Sequence, residues 1–183
     1  MTGVTAMNTT RRARPAIAAL LLAANVLVAC GSREPPPPCP PAVIVTDLAS
    51  VTRFRDGPGR DLLDVRTHGE IFDVLVQCSY NRSGATVDLQ VAIRAARGPA
   101  DTERRAEFDY FVAVESPNGA IVAKERFAAT YEFRDNRTTV GSVEELEPVI
   151  PGATRQTGAS YRLLIGFQLT PEEIAWNQRQ RPR

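Results

Sequence analysis

The sequence is poor in the side chains that most catalytic and metal sites use: it has one histidine, His68, and three cysteines. A zinc site needs several His or Cys ligands at close spacing, and this chain does not supply them. A Ser-His-Asp arrangement could use His68 with Asp61 or Asp64, but no Gly-x-Ser-x-Gly turn or oxyanion motif accompanies it. We therefore expect no metal, no cofactor and no enzymatic activity, and we interpret His68 as a solvated loop residue.

An excess of charge of either sign is also missing. The chain has 22 basic and 21 acidic residues and a formal net charge of +1. Once the three N-terminal arginines Arg11, Arg12 and Arg14 are set aside, 19 basic and 21 acidic residues remain. Binding to nucleic acid is driven by the neutralisation of many phosphates. The composition therefore gives no reason to expect a nucleic acid as the partner.

Apolar runs long enough to cross a membrane are absent from the sequence. The run from Ala16 to Val28 is interrupted by Asn25 and falls short of the about 20 residues that a membrane-spanning helix needs. It follows the three arginines and is followed by small residues. This order of a basic, an apolar and a small-residue segment is the layout of a secretory signal.

The apolar run ends in Leu27-Val28-Ala29-Cys30, which resembles the lipobox of bacterial lipoprotein precursors. The resemblance implies that the Cys30 thiol receives a diacylglycerol and that residues 1–29 are a signal peptide cut off before it. Two or three acyl chains hold a protein at a membrane essentially permanently. Gly31 stands where an Asp would imply retention in the inner membrane. The expected location is therefore the outer membrane, facing the periplasm.

Prolines dominate the segment that follows Cys30. Residues 32–41 contain six of them, and proline favours neither helix nor sheet because it lacks a backbone donor and fixes φ. We interpret residues 30–41 as the lipidated cysteine and a polyproline II tether. At about 3.1 Å per residue, the tether would lift the domain by about 35 to 40 Å.

Two cysteines remain for the folded part. In an oxidising envelope Cys39 and Cys78 could form a disulfide, which would close a loop of about 40 residues and stabilise the fold by about 4 kcal/mol. Alternatively, Cys78 is a small buried hydrophobic residue and Cys39 stays free.

Residues 42–183 show the alternation of apolar and polar residues that is typical of β-strands. The pattern predicts a first strand at 42–47, a hairpin from Glu70 that turns at 81–84, a second hairpin that turns at 116–119, and a last strand at 161–169. The face of the first hairpin strand is predicted to comprise Phe72, Val74, Val76, Cys78 and Tyr80.

Two places in this pattern are irregular. Glu125 interrupts the apolar face of its strand, which predicts a bulge or a partly open edge. Residues 138–143 fit a strand, while Ser142 and Glu145 fit the capping box of a one-turn helix instead.

The chain ends in a short predicted helix with Thr170 as N-cap and Glu173 closing the capping box. Short strands without a βα alternation indicate a mainly β fold, an antiparallel immunoglobulin-like β-sandwich with a short C-terminal helix. The Cys-Pro start and the Gly-Phe-Gln-Leu-Thr-Pro-Glu-Glu segment near the end resemble small lipoproteins of Gram-negative bacteria. That resemblance implies a location and a fold, and it supplies no activity.

The most polar and turn-rich segment runs from 52 to 61 and continues to His68 and Gly69. We expect it to be a loop, and loops on a rigid scaffold often carry function. Its candidate binding residues are Arg53, Phe54, Arg55 and Arg60. They could hold an anionic partner such as a carboxylate.

The alternative is an ordinary surface loop in which these arginines pair with Asp56, Asp61 and Asp64. Two functions follow from these patterns. The first is a non-enzymatic module that contacts an envelope protein through sheet edges or loops. The second is a binder of a small anionic ligand or cell-wall fragment through the arginine loop.

Overall fold

The computed structural model describes residues 36–181, so the predicted signal peptide, Cys30 and the start of the tether lie outside the described residues. Between residues 36 and 181 the chain forms strands and one α-helix, joined by turns and short 3-10 segments. In chain order these are β1 (Ala42–Ile44), β2 (Ser50–Phe54), β3 (Val65–Asn81), β4 (Gly84–Arg97), β5 (Arg105–Glu115), β6 (Ile121–Glu132), β7 (Thr139–Leu146), β8 (Val149–Pro151), β9 (Arg162–Phe167) and α1 (Pro171–Gln180).

The strands form two sheets that pack together. The first has the order β1-β9-β5-β6, and the second has the order β2-β3-β4-β7 with β8 also paired to β4. The prediction of a mainly β fold with a short C-terminal helix is confirmed. The prediction of wholly antiparallel pairing is wrong at β1, which runs parallel to β9. Both of these strands start at the same end of the molecule and run in the same direction.

One apolar core fills the space between the sheets. The inward residues of β4 are almost fully buried, as are those of β5 and β9, because alternate side chains of a strand point to one face. Phe108 packs at the centre, with its ring centroid 5.6 Å from that of Phe167 and 6.2 Å from that of Tyr131. This core holds the strand ends, and therefore the loops, in fixed positions.

Both ends of the segment predicted as a loop from 52 to 69 are strand, since residues 52–54 belong to β2 and residues 65–69 belong to β3. Only residues 55–64 lie between β2 and β3, and part of this connection is a 3-10 turn at Leu62–Asp64. His68 is therefore a half-buried strand residue opposite Thr52, and its Nδ1 lies 3.0 Å from the Thr52 hydroxyl. Burial lowers the pKa of His68 below its ordinary value. The prediction of a solvated loop histidine is wrong because β2 pairs with this part of β3.

A register shift in β3 changes the predicted apolar face of the first hairpin. The shift lies between Ile71 and Asp73, so Ile71 is buried while the Phe72 side chain is 51% exposed. From Val74 onward the alternate residues pack against the core as predicted. Phe72 was therefore assigned to the wrong face, because a bulge inserts one residue into the alternation.

The two irregular places are resolved. Residues 139–146 form strand β7 rather than a helical turn. Glu125 pairs regularly with Val112, and the bulge lies instead between Val114 and Glu115. The prediction of a partly open edge holds, since β6 is the edge strand of the first sheet and residues 121–126 are exposed.

The Pro-rich segment enters the domain at the end of β3. Cys39 and Cys78 are joined by a disulfide with their Cα atoms 5.7 Å apart. The Tyr80 hydroxyl donates a hydrogen bond of 2.6 Å to the Pro38 carbonyl, and Pro40 is buried. We call this end, where the disulfide and the β3–β4 turn lie, the tether end. The chain is thus fixed to the tether end before β1 begins.

Candidate functional site

The candidate binding residues lie where β2 ends and α1 begins. β2 ends at Phe54, and the following residues turn at Gly57, whose φ of +117° suits glycine best. α1 begins beside this turn with the predicted capping box, in which the Thr170 side chain accepts a hydrogen bond from the Glu173 backbone. The turn and the helix together line a groove of about 570 Å³.

The helix is attached to β2 by polar and apolar contacts. The Asn177 side chain donates hydrogen bonds to the backbone oxygens of Asp47, at 2.9 Å, and Ser50, at 2.8 Å. Ile174 packs against the core. These contacts fix the helix face that carries Trp176 against the end of β2.

An aromatic pair connects the two sides of the groove. Phe54 and Trp176 meet edge to face, with centroids 4.9 Å apart and planes at 75°. The guanidinium of Arg60 lies 5.2 Å from the centroid of Phe54, and that of Arg179 lies 5.7 Å from the centroid of Trp176. Each distance is within the range of a cation–π contact. Two arginines therefore sit on one aromatic pair.

The structure brings together all four predicted residues with two that were not predicted. We call the set the arginine–aromatic surface, and it consists of Arg53, Phe54, Arg55, Arg60, Trp176 and Arg179. Trp176 lies in α1, six positions after the N-cap residue Thr170. No local sequence signal could have placed it against Phe54, which is more than 120 positions earlier in the chain.

The arginines differ in how far they are neutralised. Arg53 forms an ion pair with Glu173, and Arg55 forms one of 2.5 Å with the buried Asp64. Arg60 instead donates to the backbone oxygens of Gly57 and Gly59. Of the three loop aspartates expected as alternative partners of these arginines, only Asp64 forms an ion pair with one of them among residues 36–181.

Asp64 is held in its charged form by its neighbours. The Asp61 backbone N–H donates to its Oδ2 at 3.2 Å, and this bond together with the Arg55 guanidinium keeps its pKa below the ordinary value, although burial opposes the shift. Asp61 in turn caps the 3-10 turn through the Leu63 N–H. The turn that carries Arg60 is therefore rigidly built at its base.

The surface has mixed charge and exposed apolar groups. Within the described residues, neither Arg60 nor Arg179 has an acidic partner, while Asp56 and Glu172 line the same groove. Leu62 and Leu63, next to the turn, are 82% and 70% exposed. Arginine and tryptophan are enriched in protein interfaces, while the carboxylates in the groove disfavour the capture of one small anion.

The structure shows no metal centre and no membrane-spanning helix in the part of the chain that it describes. Residues 36–181 contain no group of three or more His, Cys, Asp or Glu side chains placed to hold a metal ion. No helix in this range is both long enough and apolar enough to cross a membrane. In comparisons with known proteins, the chain matches no protein-family model, no curated protein and no solved structure.

Proposed function

We propose that this protein is a lipid-anchored component of the bacterial cell envelope that binds a protein partner through the arginine–aromatic surface and catalyses no reaction. The observation that carries the proposal is the placement of this surface at the end of the sheets opposite the tether end. In β3, Val65 pairs with Phe54 at one end, and Cys78, near the other end, is bonded to Cys39. Cys78 lies thirteen residues after Val65, and at about 3.3 Å per strand residue this separates the disulfide from the end of β2 by about 40 Å.

Because of this separation, one end of the domain can be anchored while the other end binds a partner. With acyl chains on Cys30, the lipid would be connected to the domain through residue 39, which is bonded to the tether end. The arginine–aromatic surface, at the other end of β3, would remain free to bind another envelope protein. The outer membrane, facing the periplasm, is the proposed location because Gly31 follows the lipidated cysteine.

A protein partner accounts for the charges better than a small anion does. Arg53 and Arg55 are already neutralised by Glu173 and Asp64, and the groove holds further carboxylates. Aromatic residues and arginine are enriched in the cores of protein interfaces and among the residues that contribute most to binding. The exposed pair Leu62 and Leu63 adds apolar area to the same end.

The second candidate is a binder of a small anionic ligand or cell-wall fragment. It is favoured by the groove of about 570 Å³ and by the Arg60 and Arg179 guanidinium groups, which have no acidic partner among the described residues. Soluble cell-wall fragments should then raise the melting temperature of the wild-type protein. They should not raise that of Arg60→Ala/Arg179→Ala.

We also propose that the two packed sheets form an immunoglobulin-like sandwich. The connections from β4 to β5, from β6 to β7 and from β8 to β9 each pass from one sheet to the other, as Greek-key connections do. The disulfide supports the description only in part, because it ties the Pro-rich segment to β3 rather than one sheet to the other. An experimental strand order and handedness would test this description.

The functional proposal predicts that one envelope protein is captured with the lipidated wild-type protein and is lost with Arg60→Ala/Arg179→Ala. Removing two central arginines of an interface should lower the yield of the partner by at least about tenfold. The measurement is affinity capture from detergent-solubilised membranes at native expression, quantified by mass spectrometry.

The matched control is Arg82→Ala/Arg155→Ala, which also removes two exposed arginines without an acidic partner among the described residues, one in the β3–β4 turn and one in the β8–β9 connection. It should retain the partner. Equal recovery with both double variants, or no partner with the wild type, would contradict the proposal.

A further inference from the structure

A second groove opens between the edges of the two sheets, away from the arginine–aromatic surface. It has a volume of about 540 Å³ and lies between β6 on one side and the end of β7 and start of β8 on the other. Its lining is mainly apolar, with Val112, Val114, Phe127, Leu146, Pro148 and Val149. Val112 and Val114 are core residues, so the groove exposes the margin of the core itself.

The sheets are closed along one half of these edges and separated along the other. Toward the arginine–aromatic surface, the Tyr131 hydroxyl and the Ser142 hydroxyl lie 2.9 Å apart and join β6 to β7. Ala129 and Tyr131 are buried there. From Phe127 toward the tether end the strand becomes exposed, and residues 121–126 have no layer over them within the described chain.

The backbone of β6 is available along this open half. β6 pairs with β5 on one side and has no strand on its other side among residues 36–181. An unpaired edge presents a row of N–H and C=O groups to which an extended peptide can add as a further strand. Side chains of such a peptide would alternate between the groove and the solvent.

The charge of the groove selects among such peptides. Glu125 lies in the same alternation as Phe127 and Ala129, so it is an inward position of β6. Glu147 lines the opposite wall, and so does Glu145, although Glu145 alternates with the inward residue Leu146 and points to the outer face of β7. None of the three carboxylates forms an ion pair within the described residues.

The one lysine of the chain does not compensate for these carboxylates. The Lys124 ammonium lies 4.0 Å from the centroid of Phe111 and 3.2 Å from Gln168 Oε1. Lys124 also lines the groove, but it alternates with Glu125 along β6, so its ammonium lies over Phe111 on the other face of the sheet. The groove therefore combines an apolar lining with unneutralised negative charge.

We propose that the groove binds an extended segment of a partner protein that adds as a strand to β6 and presents an apolar, a basic and a second apolar residue to the groove. The basic side chain would lie opposite Glu125, and the apolar ones would lie opposite Ala123 and Phe127. This site is separate from the arginine–aromatic surface and does not depend on the function proposed for it.

An inward charge on an edge strand has a second use, which is to discourage pairing between copies of the same chain. The two roles make different predictions. A protective Glu125 would matter for self-association and would not discriminate between peptides of different charge. A binding Glu125 sets the charge of the peptide that is bound.

The test uses the full protein in detergent and a labelled, end-blocked heptapeptide. Its sequence is Thr-Val-Thr-Arg-Thr-Val-Thr. A second peptide has glutamate in place of the arginine. By fluorescence anisotropy the arginine peptide should bind about tenfold more tightly than the glutamate peptide, since one attractive ion pair is exchanged for repulsion. Glu125→Gln should abolish the difference, and Glu125→Lys should reverse it.

The matched control is Glu132→Gln, which removes an exposed carboxylate from the far end of the same strand. It should bind both peptides as the wild type does, and so should Arg60→Ala/Arg179→Ala. Thermal unfolding of each variant checks that the fold is intact. Absence of binding by the arginine peptide, or a preference unchanged in Glu125→Lys, would overturn the proposal. Increased self-association of Glu125→Gln without altered peptide preference would also overturn it.

Discussion

Replacing Cys30 by serine is expected to abolish the incorporation of labelled palmitate and the cleavage of the chain before residue 30. The physical reason is that the diacylglycerol is joined to the protein through the cysteine sulfur, which serine lacks. Each buried methylene contributes about 0.8 kcal/mol, so the loss of the chains removes the dominant membrane attraction of the mature protein. The measurement is palmitate labelling in cells, followed by immunoprecipitation and separation of precursor from mature protein.

Ser32→Ala is the control for this experiment, because it changes a nearby residue without removing the sulfur. It should be labelled and processed as the wild type is. Cys39→Ser should also keep its label, since that sulfur is bonded to Cys78. If Cys30→Ser still carries palmitate, or is still cut before residue 30, the proposed anchor is wrong.

The double replacement Cys39→Ser/Cys78→Ser is expected to lower the free energy of unfolding by about 4 kcal/mol. The disulfide joins residues 39 positions apart, and without it the unfolded chain regains the entropy of an open loop of that length. For a domain of this size the melting temperature should fall by about 10 °C. Denaturant titration followed by circular dichroism measures the change.

Reduction of the wild-type protein provides an independent check of the same quantity. The reduced wild type and the double serine variant should unfold at similar denaturant concentrations, because both lack the cross-link. If serine at positions 39 and 78 also destabilised the native state, the double variant would unfold at a lower denaturant concentration than the reduced wild type. If oxidised and reduced wild type unfold together, the disulfide does not stabilise the domain.

The strands that the sequence predicts most clearly are those whose inward positions are uniformly apolar. In β4 the residues Val87, Leu89, Val91 and Ile93 occupy every second position and are all buried. The same holds for the inward residues of β5 and β9. In these strands the apolar positions of the sequence are the buried positions of the structure. The strands therefore lie where the alternation predicts them.

The start of β3 could not be recognised in the sequence because its inward residues are not large and apolar. A side chain of the other sheet occupies the space beside them. Gly69 faces the Phe108 ring so closely that an added Cβ would lie 2.9 Å from it. Thr67 is buried beside it in the same alternation. A glycine and a threonine predict a turn, yet here they make room for an aromatic ring. The misassignment of His68 to a loop has the same origin.

The candidate site was predictable only on its loop side. Arg53, Phe54, Arg55 and Arg60 are neighbours in sequence, and their types alone mark them as a group. Trp176 and Arg179 join them through the packing of α1 on β2, a contact between distant parts of the chain. The hydrogen bonds from Asn177 that hold the helix there have no signature in the sequence.

Photocrosslinking from the arginine–aromatic end in living cells tests most directly whether this end binds an envelope protein. Leu62, which is 82% exposed beside Arg60, would be replaced by p-benzoylphenylalanine in the full-length protein. Ser79, exposed on β3 near the tether end, is the control position. We predict one adduct with an envelope protein from position 62, weakened by Arg60→Ala/Arg179→Ala and absent from position 79. No adduct from position 62, or the same adducts from both positions, would contradict the proposed function.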